Sequence, residues 1–421
     1  MVTLTPAAPA SSEETQVIAV GTALPAEEKK KHVFRADVQA LRAVAVLTVV
    51  LYHAHIPYLT GGYVGVDVFF VISGFLITGL LIREKDRTGK ISIKKFYGRR
   101  MRRIMPAAAL TMIGTVVASY HWLGYIRGAH IAEDAQWSAV FLANIHYAAV
   151  GTDYLNSQDP PSTLQHFWSL SVEEQFYVVW PVMFLILGLL GRKYKSRWLM
   201  IVPVGLVIIV SYAFSVWYTA ESVTQAYFSP FTRACELGAG AMLAVLMPSL
   251  KKIPMAWSLV LSIGGMIGIV VTAFTFTEAT TFPGSMVALP VLATCAVLAG
   301  GSAAGANGTK LNSVYAFKPI QWIGLWSYSL YLLHWPILMI AEQRLGHVPP
   351  PQTRVILLLS ALTLAALSYY FVENPARNFK LIRKRSIVSI FVGIFLIFTV
   401  VFVTATLVGT HPAIPVSTYG K

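Results

Sequence analysis

The sequence predicts an all-α polytopic membrane protein, a bundle of about eleven transmembrane helices. Three observations carry that prediction. Hydrophobic residues fill 56% of the 421 positions and charged residues only 12%, half the charged share of an ordinary soluble domain. Apolar runs of membrane-crossing length recur from one end to the other. The 33 lysines and arginines, against 19 acidic residues, gather between those runs. The net charge of +14 therefore speaks of a membrane boundary and not of nucleic acid.

The elements follow in order. Residues 1–34 are rich in Ala, Pro, Ser, Thr and Glu and hold no apolar core of signal-peptide length. They read as a disordered cytoplasmic tail. Candidate spans then lie at about 38–56, 63–82, 104–123, 167–190, 198–219, 230–248, 256–275, 285–300, 320–340, 354–372 and 386–409. Most approach the roughly 20 residues that a helix needs to cross hydrocarbon; 285–300 is short. The run "AQWSAVFLANIHYAAV", 135–150, is decided by charge. Basic clusters "EKKKHVFR", "REKDRTGKISIKKFYGRRMRR", "GRKYKSR", "SLKK" and "NFKLIRKR" all fall on the inner side only if this run does not cross. It is therefore expected as an interfacial or re-entrant helix. The expected organisation is a membrane domain over 35–380, an extra transmembrane helix at 381–410 and an extracytoplasmic tail at 411–421. The N-terminus would be cytoplasmic and the C-terminus outside the plasma membrane. Cys235 and Cys295 each sit inside an apolar run and read as free thiols, not as a disulfide or a zinc site.

Ionisable residues within spans are costly and mark function. Here they are Arg42 and His53 on the first span, Asp67 on the second, Glu173 and Glu174 on the fourth, Arg233 and Glu236 on the sixth, and His334 on the ninth. So many point to a cavity rather than to paired structural glue. Arg42 and His53 are eleven steps apart, which returns them to within about 20° of one helix face and separates them by roughly 16 Å. A cation at one end and an imidazole at the other suit a long ligand with an anionic head and a reactive tip. The blander reading is a snorkelling arginine and an interfacial histidine. Arg99, Arg100, Arg102 and Arg103 open the third span with forks suited to phosphate. Some of them would serve only as positive-inside charge. Asp67, one turn into the second span, is expected to orient the His53 ring. His166 and Glu173 share a helix face seven residues apart, while Glu174 points about 100° away. Tyr331 and His334 occupy neighbouring rows of one helix, and Trp335 reads as interfacial belt. The histidines are scattered without ligand spacing, so no metal is expected.

The ordered set "RADVQALRAVAVLTVVLYH", "GGYVGVDVFFVISGFLI", "FYGRRMRRIMP", "HFWSLSVEEQFY", "FTRACELGAGAML", "SYSLYLLHWP" and "FVENPAR" resembles the membrane acyltransferase-3 family. Its Arg-ten-residues-His signature is met by Arg42 and His53, and its Arg-x-x-Arg signature by Arg100 and Arg103. The resemblance implies acyl transfer from cytoplasmic acetyl-CoA, or another acyl-CoA, to a hydroxyl of an extracytoplasmic envelope glycan, glycolipid or secreted small molecule. Arg42, Arg100 and Arg103 would hold the donor. No cofactor would be bound permanently, and membrane lipids would be the other partners. His53 would be the central catalytic group, as general base or as acyl carrier, with Asp67 as its orienting carboxylate and Glu173 as a second catalytic group. His166, Glu174, Tyr331 and His334 would face the acceptor. Family members often carry an extracytoplasmic SGNH-type domain. Here such a domain would be missing or separate, or the chain acts alone. Two other classes compete: a proton-coupled transporter with His53, Asp67, Glu236 and His334 as relay, and a lipid-binding scaffold without catalysis.

Overall fold

The computed structural model describes residues 35–151, 160–190, 198–303 and 309–410. The two predicted tails and the basic cluster at 191–197 lie outside them, as does most of the cluster before the first span. The elements, in chain order, are α1 (Ala36–His53), α2 (Gly65–Thr88), α3 (Ile93–Leu123), α4 (Tyr125–Ala139), α5 (Ala143–Val150), α6 (Phe167–Leu190), α7 (Trp198–Glu221), α8 (Val223–Phe228), α9 (Pro230–Val245), α10 (Met247–Leu250), α11 (Met255–Thr275), α12 (Ala288–Gly300), α13 (Lys310–Tyr315), α14 (Lys318–Leu345), α15 (Pro351–Ser368), α16 (Asn374–Asn378), α17 (Lys380–Lys384) and α18 (Ser386–Thr410). A π turn, Tyr369–Glu373, links α15 to α16. Among the described residues helix is the only regular secondary structure, and nine helices are long and apolar enough to cross a membrane. The other two expected spans are short: α9 has 16 residues and α12 has 13. At 1.5 Å per residue they reach roughly 24 and 20 Å, less than the ~30 Å hydrocarbon core. The protein is an all-α polytopic membrane protein.

Local chemistry sets several boundaries. Gly89 takes φ +67° after α2, a left-handed stop that glycine adopts without Cβ strain. Ser92 caps α3 by accepting from the Lys95 amide, and Ser229 caps α9 ahead of Pro230. The expected helix at 135–150 is two helices. They meet at Val140–Leu142, where Phe141 takes φ +57°. At 15 and 8 residues, α4 and α5 are each too short to cross. Asp134 holds the pair together, accepting from His146 Nε2 at 2.9 Å and from Ser162 Oγ at 2.5 Å.

Without a hydrophobic force between helices in lipid, close packing of small residues holds such a bundle. On α2 and α9 this is literal. A Cβ on Gly74 would strike the Leu237 carbonyl, and one on Gly240 would strike the Val71 carbonyl. α1 packs on α14 and α2, α3 packs on α18, and α11 packs on α12. α7, α15 and α18 keep most of their apolar side chains on the outside of the bundle.

Helix ends segregate. At one end Arg35 reaches Ser302, Gln321 donates to the Ala36 carbonyl, and Arg102 meets Ser389. The arginines that open α3 and those of α16 and α17 lie at this basic end. At the far end the Gly61 amide donates to Ala273, Arg354 donates to the His55 carbonyl, and Arg127 meets Gln343.

Candidate functional site

A cavity of about 500 Å³ opens among α1, α2, α3, α6 and α14. Eight arginines line it: Arg42, Arg83, Arg99, Arg100, Arg102, Arg103, Arg377 and Arg383. Deeper, the wall turns apolar with Val66, Phe69, Phe70 and Leu170. It closes on two buried hydroxyls, Ser169 Oγ and Tyr331 OH, which lie 2.6 Å apart and both approach the His166 carbonyl.

The arginines differ in what surrounds them. Arg100 is buried. Its guanidinium lies 3.7 Å from Glu173 and 3.7 Å from Glu174, over the Tyr177 ring. Glu173 also accepts from Ser73 at 2.5 Å and from the Tyr177 hydroxyl. Arg99 pairs with Glu84 at 2.9 Å, and Arg102 donates to Ser389. Arg42 donates to Gln39 at 3.3 Å. Among the described residues Arg42, Arg83, Arg103, Arg377 and Arg383 form no ion pair with a carboxylate. Like Glu173, Glu373 lies within electrostatic reach of both Arg42 and Arg103. The π turn buries it against Ser329, whose hydroxyl donates to it at 3.0 Å. π turns of this kind often mark functional sites.

One helical turn beyond Tyr331 stands a histidine pair. His53 Nδ1 is 3.0 Å from His334 Nε2, and the rings lie 7° from parallel. Trp335 packs its edge against His53 at 4.4 Å and donates to the Ser162 carbonyl. The tautomers follow from the partners. His334 Nδ1 faces two backbone carbonyls, Leu330 at 3.1 Å and Tyr331 at 2.8 Å. Carbonyls only accept, so Nδ1 carries the proton and Nε2 is bare. His53 must therefore donate through Nδ1–H, which leaves its Nε2 as the basic nitrogen of the neutral ring. The bond survives protonation of His53, because Nδ1 donates in both states.

Several site expectations are corrected here. Asp67 does not orient His53. It faces α9, where its Oδ1 is 3.0 Å from Arg233 Nη1, which also lies 2.9 Å from Glu236. Four rings, of Phe70, Trp168, Tyr227 and Phe282, surround that guanidinium at 5.3–5.6 Å. The cause is the contact of α2 with α9, which turns this face of α2 away from α1. Glu174 stands with Arg100 on the basic side, not beside His334. Tyr331 ends the basic cavity. His166 bonds the Leu332 carbonyl at 3.1 Å, and its ring centre lies 6.0 Å from that of His334. Trp335 is buried rather than part of an interfacial belt. Sequence reasoning missed the His53–His334 bond and Glu373. The second lies within "FVENPAR", where nothing singles it out; no local pattern reports the first.

Fold and site define a class: a polytopic helical membrane protein whose arginine-lined cavity runs toward a buried histidine pair. The chain belongs to the acyltransferase-3 family, whose model, described as "Acyltransferase domain", matches residues 35–372. It is 32% identical over 371 residues to the "Peptidoglycan O-acetyltransferase OatA" of Listeria monocytogenes, covering 85% of this chain and 57% of that protein. It is 32% identical over 363 residues to the "Putative peptidoglycan O-acetyltransferase YrhL" of Bacillus subtilis, covering 82% and 55%. It is 33% identical over 355 residues to the "O-acetyltransferase OatA" of Staphylococcus aureus, covering 80% and 56%. The chain thus spans little more than half the length of these relatives. No solved structure matches it significantly.

Proposed function

We propose that this protein is a transmembrane O-acyltransferase of the cell envelope. It takes an acyl group, most simply acetyl, from acyl-CoA at the basic, cytoplasmic end. It delivers that group to a hydroxyl of an envelope glycan at the far end. One observation carries the reading: among the described residues, arginines that form no ion pair stand at one end of the cavity and a histidine pair lies beyond the other. Arg42 and His53, on one face of α1, are roughly 16 Å apart along the axis. A pantetheine arm of about thirteen bonds, each advancing roughly 1.2 Å as in an extended backbone, spans about the same distance. A diphosphate at Arg42 and Arg103 would therefore place the thioester near His53.

In this reading His53 Nε2 takes the proton of the acceptor hydroxyl as its oxygen attacks the thioester carbonyl. The C–S bond then breaks, and the imidazolium returns the proton to the departing thiolate. The products are an ester and free CoA. His334 positions the ring, the role a carboxylate plays in a triad. An acyl-imidazole on His53 would use the same nitrogen. Relatives named as peptidoglycan O-acetyltransferases favour a glycan acceptor. A proton relay through His53, Asp67, Glu236 and His334 has less support, because these residues fall into two separate clusters.

The test is reconstitution. Purified protein in vesicles, given labelled acetyl-CoA on one side and a muramic-acid glycan on the other, should label the glycan. His53→Gln should abolish labelling without abolishing donor binding. Glycan labelling by the His53 variant at the wild-type rate would refute this assignment.

A further inference from the structure

The cations of the cavity fall into two groups at two depths. The inner group is Arg42, Arg103 and Arg377, half-buried and gathered around Glu373. The outer group surrounds the mouth. Arg102 senses Arg99 and Arg383, and Arg83 and Arg383 are exposed on the rim of the same cavity. Of these four, only Arg99 has a carboxylate partner, Glu84. Guanidinium groups from α2, α3 and α17 are thus held at one opening against their mutual repulsion. Such a cluster is stabilised when an anion bridges it, and arginine forks match phosphate oxygens.

We propose that this outer cluster is a second anion subsite, selective for a phosphate monoester. Resting on the acyl-CoA reading above, its ligand is the 3′-phosphate of the donor nucleotide, while the inner group takes the diphosphate. Arg83, Arg102 and Arg383 are its binding residues. They stand apart from the Arg-x-x-Arg motif, whose first member is already occupied by Glu173 and Glu174. A lipid headgroup carrying a phosphate monoester offers the same chemistry. The nucleotide is favoured because the outer cluster opens into the cavity that holds the inner one, so a single ligand can span both.

The test compares CoA with 3′-dephospho-CoA on the purified full chain, in lipid-free detergent and in nanodiscs containing phosphatidate. Wild-type protein in detergent should bind 3′-dephospho-CoA roughly 10- to 100-fold more weakly, the worth of one or two charged hydrogen bonds. The Arg83→Gln/Arg383→Gln variant should bind the two nucleotides equally, at about the wild-type affinity for 3′-dephospho-CoA. Equal binding of both by wild-type protein overturns the subsite, and that comparison needs no variant to fold. A preference retained by the double variant overturns its residues. A variant that alters only phosphatidate binding shows that the cluster reads lipid instead, and overturns the nucleotide assignment. Failure of wild-type protein to bind either nucleotide refutes the acyl-CoA reading itself.

Discussion

Arg100 and Arg103 belong to one motif, yet the structure gives them different surroundings, so their substitutions should diverge. Arg100 is buried between two carboxylates and against a ring. Arg100→Ala leaves Glu173 and Glu174 without the cation that lies 3.7 Å from each. Removing one partner of a buried ion pair typically costs about 3–5 kcal/mol. We therefore expect Arg100→Ala to lower the thermal midpoint of detergent-solubilised protein sharply. Neutralising the carboxylates as well, in Arg100→Gln/Glu173→Gln/Glu174→Gln, should recover most of that loss, because no unpaired charge remains. Arg103 has no such pair. Arg103→Ala should leave the midpoint near wild type and weaken donor binding by roughly 10- to 100-fold, as loss of a charged hydrogen bond to phosphate would. Tryptophan-fluorescence melts and donor titrations on the same preparations separate the two effects. If Arg100→Ala melts like wild type and loses donor affinity instead, Arg100 is a ligand of the donor and the division drawn here is wrong.

Other outcomes follow from the same geometry. His53→Gln should cut transfer by about 100- to 10,000-fold. His334→Phe, which removes the acceptor for His53 Nδ1–H, should lower the transfer rate and alter its pH profile while donor binding persists; an unchanged profile would take His334 out of the positioning role. Asp67→Asn should affect yield and melting far more than turnover per folded molecule, since Asp67 serves Arg233; a folded variant devoid of transfer would return Asp67 to the chemistry. Gly74→Leu should prevent assembly through its collision with the Leu237 carbonyl, seen as protease sensitivity; a protease-resistant variant would contradict the close contact. A reporter fused after Tyr419 should read as extracytoplasmic; a cytoplasmic reading would mean that an odd number of the eleven expected spans fail to cross.

What could be read in the sequence was what repeats locally or carries a charge penalty. Apolar runs gave the helical bundle, and the basic clusters kept 135–150 from being counted as a crossing. Arg42 and the α3 arginines were visible as a cation group because arginine in a span is rare. Pairings between helices were not legible. Asp67 and His53 lie at similar depth, which made them plausible partners. Depth, however, does not say which face of α2 turns to α1 and which to α9, and Gly74 and Gly240 settle that through contact. His334 could be placed beside Tyr331 on its own helix but not against His53, because that partner lies 281 positions away. Glu373 lay just past the expected span 354–372, and the π turn that buries it against Ser329 is not visible in an apolar pattern.

The Arg233 cluster has a consequence for how the chain enters the membrane. Charged residues near the centre of an inserting helix each oppose insertion by about 2.5–3.5 kcal/mol. α9 carries Glu236 near its centre and Arg233 in its first turn, so alone it is a poor substrate for lateral release into lipid. Its counter-charge, Asp67, is synthesised far earlier, on α2. α2 would therefore hold this carboxylate without Arg233 until α9 emerges and docks its Gly240 against the Val71 carbonyl. Biogenesis then has a checkpoint at this pairing. Chains that fail it would present a half-inserted α9 to membrane proteases, well before any question of catalysis arises.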